Sequence, residues 1–178
     1  QRQLLMDEYG LVAEVIRMPC EGFPKNRSDH AKSKNNEKKH ILWAGRFTPE
    51  KRLEYFFELA KLFPDMIFDV IGDYNFEKDT SYANELKQLA EGIDNVVLHG
   101  RVPHEKMGEY FNKSYLLCST SVYEGFPNIY LEAWSVGLPL VTTFDPDGVV
   151  REFGLGRIAH DVETLRTAVA GLLSEADW

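Results

Sequence analysis

The sequence predicts an α/β protein in which one doubly wound parallel sheet carries helices on both faces. Short apolar runs alternate along the chain with amphipathic stretches, and most of the runs are apolar at every position. Such runs are typical of parallel strands that are covered on both sides. A length of 178 residues with 44% hydrophobic content is enough for one domain with a sizeable core. We therefore expect a single Rossmann-like domain of about six strands.

The individual elements follow from the same alternation. The apolar runs predict strands at residues 11–19, 40–46, 66–73, 95–100, 114–119 and 138–144. Amphipathic patterns predict helices at residues 49–63, 78–91, 104–112, 128–136 and 161–173. The clearest helical pattern is 49–63, whose apolar face carries Leu53, Phe56, Phe57, Ala60 and Phe63. Right-handed crossovers would join the strands, and the polar segment 25–39 predicts a mobile loop.

Charge and cysteine content limit the partners that we expect. The formal net charge is −8 at pH 7, from 28 acidic and 20 basic residues, which argues against nucleic acid or an anionic membrane as the main partner. Cys20 and Cys118 lack zinc-site spacing and are too few for a disulfide framework, which favours a reducing cytosol. Neither a signal peptide nor an apolar run of about 18 residues is visible. The chain begins at Gln1 rather than Met, so we expect a fragment of a longer protein.

The loop "AGRFTPEK" (44–51) is the first candidate site, because doubly wound sheets bind ligands beyond the carboxyl ends of their strands. A strand ends at Gly45, and Lys51 falls in the first turn of the next helix. A cation is unfavourable there, since the helix dipole attracts anions to that end. A diphosphate between Lys51 and Arg46 would account for the lysine. The alternative is an ordinary surface lysine paired with Glu54 or a neighbour.

The stretch "YEGFPNIYLEAWSVGLP" (123–139) is the second candidate site, because it places two glutamates eight positions apart. Gly125 and Pro127 prepare a helix start, and Glu132 lies one turn inside that helix. A phosphate could dock on the free amides of the first turn while Glu132 accepts hydrogen bonds from a ribose diol. Glu124 would then bind the hydroxyls of a second polyol on the other side of the phosphate. The alternative is two solvated glutamates near helix ends.

Four segments, in order, resemble the C-terminal, donor-binding domain of group 1 glycosyltransferases, family 4 of the retaining GT-B enzymes. They are "AGRFTPEK", "FDVIGD", "VVLHGRVPHEKMGEYF" and "SVYEGFPNIYLEAWSVGLPLVTT", within residues 40–175. "VIRMPCEGF" (15–23) is similar to the family's interdomain connection. The resemblance implies that residues 1–178 form one half of a GT-B fold. Residues 1–24 would be the interdomain connection and first strand, and the N-terminal acceptor domain would be absent.

The resemblance also implies a role for each matched residue. The family's Glu-x7-Glu pattern falls on Glu124 and Glu132, so that Glu132 would bind the ribose and Glu124 would contact the transferred hexose. The family's diphosphate clamp falls on Arg46 and Lys51, which with Glu124 are the implied catalytic residues. The other implied donor contacts are Gly45, Gly72, Arg101, Val102, Gly125, Phe126, Pro127, Asn128 and Ile129.

The activity that the resemblance implies is hexosyl transfer from a nucleoside diphosphate sugar to an acceptor hydroxyl, with retention of configuration. Arg46, Lys51 and the helix dipole would stabilise the leaving diphosphate in place of a metal. No cofactor is implied beyond a UDP- or GDP-linked donor. The implied partners are the missing N-terminal domain and an acceptor sugar or lipid-linked glycan in polysaccharide, lipopolysaccharide or glycolipid synthesis. We expect a cytoplasmic protein, which the missing domain could bring to the inner face of the membrane, and a fragment that is inactive alone.

The sequence also departs from the family pattern. Pro127 and Asn128 replace small or aliphatic residues, and "FDPDGVV" (144–150) replaces a frequent Gly-Gly turn, so the donor sugar stays open. Asp145 and Asp147 spell the D-x-D of another glycosyltransferase fold, which holds a divalent metal. No third ligand is evident, so we interpret this motif as a plain turn.

Two other functions remain open. A sugar-nucleotide epimerase of the GT-B fold would share the clamp but take its acid and base from the missing half. A non-catalytic nucleotide-sugar-binding module would share the cleft without the chemistry. A dinucleotide-binding Rossmann domain is disfavoured, because no G-x-G-x-x-G follows a predicted strand.

Overall fold

The sheet has the predicted class, with six parallel strands in one layer. The computed structural model describes residues 2–12, 14, 20–25, 38–73 and 81–174. The strands are β1 (His40–Ala44), β2 (Ile67–Ile71), β3 (Val96–Gly100), β4 (Ser114–Ser119), β5 (Leu140–Thr142) and β6 (Gly156–Ile158). Their spatial order is β3-β2-β1-β4-β5-β6, and each neighbouring pair is parallel. The strand order reverses between β1 and β4, so the doubly wound prediction is confirmed and the switch point lies there.

Helices cover both faces of the sheet. Within the described ranges they are α1 (Arg2–Tyr9), α2 (Leu53–Leu62), α3 (Ser81–Glu91), α4 (His104–Lys113), α5 (Asn128–Ser135), α6 (Val149–Glu152) and α7 (Val162–Ser174). Short 3-10 turns at Pro49–Lys51 and Pro146–Gly148 precede α2 and α6. None of these helices combines the length and the apolar character that crossing a bilayer requires.

Two buried clusters account for the position of the helices. One cluster contains Ile41 and Trp43 of β1 together with the apolar face of α2, and the other contains Leu42 and residues of α4 and α5. Successive residues of β1 therefore enter opposite layers, as the continuous apolar runs predict. On α2, four of the five predicted core residues are buried, and Phe63 packs half-buried against the same cluster.

The prediction of one helix over residues 49–63 is wrong at its start. Arg52 has a left-handed backbone (φ 44°) and separates the 3-10 turn Pro49–Lys51 from α2. Its Nε donates a hydrogen bond to the Thr120 carbonyl at 2.9 Å, and its guanidinium lies over the Tyr55 ring at 4.7 Å. These tertiary contacts offset the cost of an unfavourable backbone conformation.

The sixth strand is not the one that the sequence predicts. Residues 11, 12 and 14 carry no regular structure, and the rest of the predicted strand 11–19 lies outside the described residues. The sixth strand is β6, whose residues Gly156, Arg157 and Ile158 include one apolar side chain and so form no apolar run. Gly156 allows its close approach, because a Cβ there would lie 2.3 Å from the Leu140 carbonyl oxygen.

Other differences are smaller. Helices α1 and α6 lie where no helix was predicted. Residues 26–37 of the predicted mobile loop and residues 78–80 of the predicted helix 78–91 lie outside the described residues. The remaining predicted helices agree with α3, α4, α5 and α7 within three residues at their ends.

Candidate functional site

A cleft of about 610 Å³ opens at the carboxyl ends of β1 to β4, beside the switch point. Eleven of the thirteen residues predicted for the site line it: Gly45, Arg46, Lys51, Gly72, Arg101, Val102, Glu124, Phe126, Pro127, Asn128 and Ile129. Gly125 and Glu132 do not. Five further lining residues were not predicted: Trp43, Ala44, Ile71, Ser119 and Ser121. Four loops far apart in sequence thus meet in one cavity.

Two glycines bring the backbones of the first two loops together in this cleft. The Gly45 N–H donates to the Ile71 carbonyl at 3.0 Å, and the Gly72 N–H donates to the Gly100 carbonyl at 2.8 Å. Gly72 has φ 130°, and a Cβ at this position would lie 1.8 Å from the Gly45 carbonyl oxygen. Any side chain at Gly72 would therefore force the loops apart.

Lys51 forms an ion pair with Glu124 inside the cleft. The two side chains are 17% and 18% exposed, and the Ser121 hydroxyl also donates to the Glu124 carboxylate, at 2.7 Å. The alternative partner of Lys51, Glu54, instead accepts a hydrogen bond from the Tyr82 hydroxyl. Lys51 is therefore paired with Glu124 rather than with Glu54.

Hydrogen bonds fix the two loops that carry this ion pair. The Thr120 hydroxyl donates to the Lys51 carbonyl at 2.6 Å and accepts from Trp43 Nε1 at 3.0 Å. The Val122 N–H donates to the Glu50 carbonyl at 2.8 Å. Thr120 is fully buried, so this connection is shielded from water. The Lys51 backbone is thereby held against the loop that leads to Glu124.

The N-terminus of α5 opens into the same cleft. Pro127 occupies the N-cap position, no side chain caps the helix, and its first turn contains no acidic residue. The Tyr130 N–H donates to the Pro127 carbonyl at 3.1 Å. The amides that precede it, at the start of the helix, lack intrahelical acceptors, and the dipole favours an anion there. Tyr130 anchors the helix, since its buried hydroxyl hydrogen-bonds the Thr142 hydroxyl. Arg46 lies exposed at the cleft rim. The arrangement can hold an anionic group between two basic side chains and a helix end.

Glu132 lies outside the cleft lining, one turn further along α5. Its side chain is 15% exposed, and its Oε1 lies 3.2 Å from Nε2 of His104 at the start of α4. The sequence reasoning missed His104. The available signal was its position, as the first helical residue after the loop that carries Arg101 and Val102.

The D-x-D stretch has a structural role at its first aspartate. The Asp145 carboxylate accepts hydrogen bonds from the backbone N–H groups of Val150 at 2.8 Å and Arg151 at 3.4 Å, at the start of α6. Asp147 is exposed in the 3-10 turn with φ 52°. No group of three potential ligands that could hold a metal ion occurs among the described residues. These contacts support the interpretation of a turn.

A doubly wound parallel sheet with a cleft at its switch point has the architecture of a Rossmann-like domain. The sequence identifies the family more closely. Residues 24–166 match the family described as "Glycosyl transferases group 1", and the chain belongs to this family. The recognition from four short motifs is therefore confirmed.

The chain is also similar to individual proteins, in sequence and in fold. Mannosylfructose-phosphate synthase of Agrobacterium fabrum is 28% identical over an alignment of 177 positions, and the alignment covers 89% of this chain and 39% of that protein. Sucrose-phosphate synthase from Thermosynechococcus elongatus superimposes with a TM-score of 0.74 at 19% identity, covering 98% of this chain and 47% of that chain. Anabaena HepE in complex with UDP and glucose gives a TM-score of 0.66 at 18% identity, with coverages of 78% and 39%. The chain thus spans less than half the length of these relatives.

Proposed function

We propose that this chain is the donor-binding half of a retaining hexosyltransferase that uses a nucleoside diphosphate sugar. The observation that carries the proposal is the meeting of Arg46, Lys51 and the first-turn amides of α5 in the cleft that also holds Glu124. Two cations and a helix end suit a diphosphate, and a carboxylate beside them suits sugar hydroxyls. The fold shared with HepE, which was crystallised with UDP and glucose, supports this choice of ligand.

In the proposed complex, Lys51 exchanges its contact with Glu124 for a phosphate oxygen of the donor. Negative charge grows on that oxygen as the bond to the hexose breaks. Lys51, Arg46 and the α5 amides stabilise this charge, so that donor binding needs no divalent ion. Glu124, released from Lys51, accepts hydrogen bonds from the hexose, and Glu132 accepts them from the ribose diol.

The remaining parts of the reaction belong to the longer protein that we propose. Gly72, Arg101 and Val102 would surround the base of a UDP- or GDP-linked donor. A separate N-terminal domain would bind the acceptor, a sugar or lipid-linked glycan of polysaccharide, lipopolysaccharide or glycolipid synthesis. We propose a cytoplasmic location, at the inner face of the membrane where the acceptor is lipid-linked.

Calorimetric titration of the chain with UDP, GDP and their glucose conjugates, in EDTA, tests the proposal. We expect one nucleotide to bind the parent. Lys51→Ala should weaken it roughly tenfold to a hundredfold, the loss of one charge-assisted hydrogen bond. Lys61→Ala is the matched control, because Lys61 pairs with Glu58 on the exposed surface of α2. It should bind like the parent.

Three results would contradict the proposal. One is the failure of all four ligands to bind, and a second is equal affinity of the Lys51→Ala variant and the parent. The third is binding that disappears in EDTA and returns with Mg²⁺ or Mn²⁺, which would favour Asp145 and Asp147 as metal ligands. Glycosyl transfer by this chain alone would contradict its assignment as one half of the enzyme.

A further inference from the structure

The carboxylate of Glu132 has a specific neighbour that the proposed donor contacts do not explain. Among the described residues, its recorded hydrogen bond is to His104 Nε2, 3.2 Å from Oε1. The His104 side chain is 62% exposed and the Glu132 side chain 15%. The bond joins the first turn of α4 to α5, whose first two residues, Asn128 and Ile129, line the cleft.

A second contact restrains the imidazole of His104 from another direction. The Phe23 ring lies 5.0 Å from the His104 ring, centroid to centroid, and 5.5 Å from the Phe111 ring. The Phe23 N–H donates to the Ser135 hydroxyl of α5 at 3.0 Å. Gly108 of α4 makes room for this packing, because a Cβ there would lie 3.0 Å from the Phe23 ring.

Residues 20–25 therefore lie across α4 and α5. Besides the Phe23 contacts, Asn112 Nδ2 donates to the Pro24 carbonyl at 3.1 Å, and Gly22 lies so close to Ser135 that a Cβ on it would be 2.7 Å from the serine Cβ. Segment 20–25 thus contacts both helices that carry the His104–Glu132 pair. A shift of this segment would move the histidine ring.

We propose that His104 is the positioning residue of the Glu132 carboxylate, and that Phe23 of segment 20–25 holds the imidazole in place. The inference rests on the proposed function, in which Glu132 accepts hydrogen bonds from the two hydroxyls of a ribose. A glutamate side chain loses rotamer freedom when it binds, and a donor that orders it beforehand lowers that cost. Nε2 engages one oxygen, and the carboxylate retains lone pairs for the diol.

Three variants separate the hydrogen bond from the ring packing. His104→Phe keeps a ring against Phe23 but removes the donor. His104→Gln loses the ring but places an amide N–H where Nε2 lies. Phe23→Ala leaves the histidine and removes its support. Each variant must first match the melting temperature of the parent chain.

The ligands separate a positioning role from a general structural one. UDP and GDP are titrated, and the tighter one is compared with its 2′,3′-dideoxy analogue, which lacks the diol. His104→Phe should weaken the ribonucleotide by roughly threefold to tenfold, because the lost hydrogen bond only orders Glu132 and does not touch the ligand. The affinity for the dideoxy analogue should stay unchanged. His104→Gln should restore affinity for the ribonucleotide. Phe23→Ala should reproduce part of the loss, again only with the diol present.

The outcomes distinguish failure of this inference from failure of the proposed function. If neither nucleotide binds the parent, the proposed function fails and the inference fails with it. If the parent binds but His104→Phe changes neither ligand, or weakens both equally, the positioning role alone is overturned. A His104→Gln variant as weak as His104→Phe would also overturn it, and unchanged binding in Phe23→Ala would overturn the role of segment 20–25.

Discussion

Asp69 and Glu124 are two of the carboxylates in this domain that pair with cations, and they differ in access to solvent. Asp69 is enclosed, whereas Glu124 lies at the wall of a cleft. Asp69 of β2 is 1% exposed and accepts hydrogen bonds from His40 Nδ1 at 2.6 Å, His99 Nε2 at 2.5 Å and Lys113 Nζ at 3.1 Å. Burial opposes its ionisation, but these three bonds outweigh burial and lower the pKa of Asp69 to about 2. Glu124 contacts one cation and one hydroxyl at the wall of a cleft.

The protons of the Asp69 cluster can be assigned from its hydrogen bonds. If His99 donates from Nε2 to Asp69, its Nδ1 is the acceptor for the Tyr110 hydroxyl, which lies 3.4 Å away. The Lys113 ammonium supplies a charge opposite to that of the Asp69 carboxylate, at 3.1 Å. Removing one partner would leave a charge without its counterion, and this is costly where that charge is buried.

The two carboxylates show that one fold can use the same chemical group to join its strands and to line a cleft. The Asp69 cluster joins β1, β2, β3 and α4, and no partner of Asp69 lines the cleft. The Lys51–Glu124 pair lies in two loops where a ligand could replace either partner. Exchange of partners requires access, so a site carboxylate contributes less to stability than an enclosed one.

Replacing Asp69 should produce the largest effect. Asp69→Asn leaves Lys113 without its buried anion. It also replaces one acceptor oxygen by an amide NH₂ group, which would face a donor of His40, His99 or Lys113. Breaking a buried ion pair typically costs about 3–5 kcal/mol, and we expect the lower end of this range because the Lys113 side chain is 37% exposed and keeps part of its hydration. Urea unfolding, followed by circular dichroism, measures the loss of unfolding free energy.

The exposed Asp65 supplies the control. Asp65→Asn should change stability by no more than about 0.5 kcal/mol. The pKa of Asp69 is lower in the folded chain than its ordinary value, so its charge contributes stability above pH ~4 that is lost as the pH falls towards 2. The difference in unfolding free energy between the parent and the Asp69→Asn variant should therefore decrease as the pH falls from about 4 towards 2. A gap below 1 kcal/mol at neutral pH, or one that widens on acidification, would contradict the comparison.

The Asp69 cluster also shows what could not be predicted from the sequence. Asp69 lies in "MIFDVIGD", which correctly predicts a buried strand because most of its neighbours are apolar. Its partners lie 29 to 44 residues away in sequence, on β1, β3 and α4. They meet it only through the register of the strands and the position of one helix. Local patterns contain neither quantity.

The candidate site was easier to predict, because its residues follow strand ends in a doubly wound sheet. The topology alone brings Gly45, Gly72 and the α5 start to one edge. The left-handed Arg52 and the His104–Glu132 pair could not be predicted, since both depend on tertiary contacts with other loops and helices. The strand β6 was missed for a different reason, because its sequence Gly-Arg-Ile contains one apolar side chain and forms no apolar run.

Glu124 in the cleft wall and Glu132 on α5 should differ in which ligand they affect. Glu132→Ala should weaken a nucleoside diphosphate and its sugar conjugate alike, by about 1.5–3 kcal/mol, because the ribose is common to both. Glu124→Ala should weaken only the sugar conjugate. The affinity of this variant for the diphosphate should be unchanged or higher, because Lys51 no longer has Glu124 as a competing partner. Titration calorimetry with both ligands measures the four affinities.

Folding is the confounder here, because Glu124 precedes a tight turn. Each variant's melting temperature must therefore match that of the parent. Equal losses for both ligands in both variants would show that the two carboxylates act on the same end of the donor. The proposed division between hexose and ribose would then be wrong.

The smallest expected effect concerns the stability contributed by the Lys51–Glu124 pair itself. A double-mutant cycle with Lys51→Met, Glu124→Gln and the double variant isolates their coupling from their separate contacts. Because both side chains reach solvent and the pair must open for a ligand, we expect a coupling of about 0.5–1 kcal/mol in urea unfolding. Added salt should reduce it.

The sign and size of this coupling decide whether the two carboxylates differ in kind. A coupling above about 3 kcal/mol, comparable to a broken buried pair, would mean that Lys51 and Glu124 hold the loops together as Asp69 holds the strands. A donor phosphate would then have to break a structural bond before it could bind. Repeating the cycle with saturating nucleotide sharpens the test: the coupling should fall towards zero, because the phosphate has already taken Lys51 from Glu124. A coupling that persists with nucleotide bound would show that the pair stays closed, and that the anion is held by Arg46 and the α5 amides without Lys51.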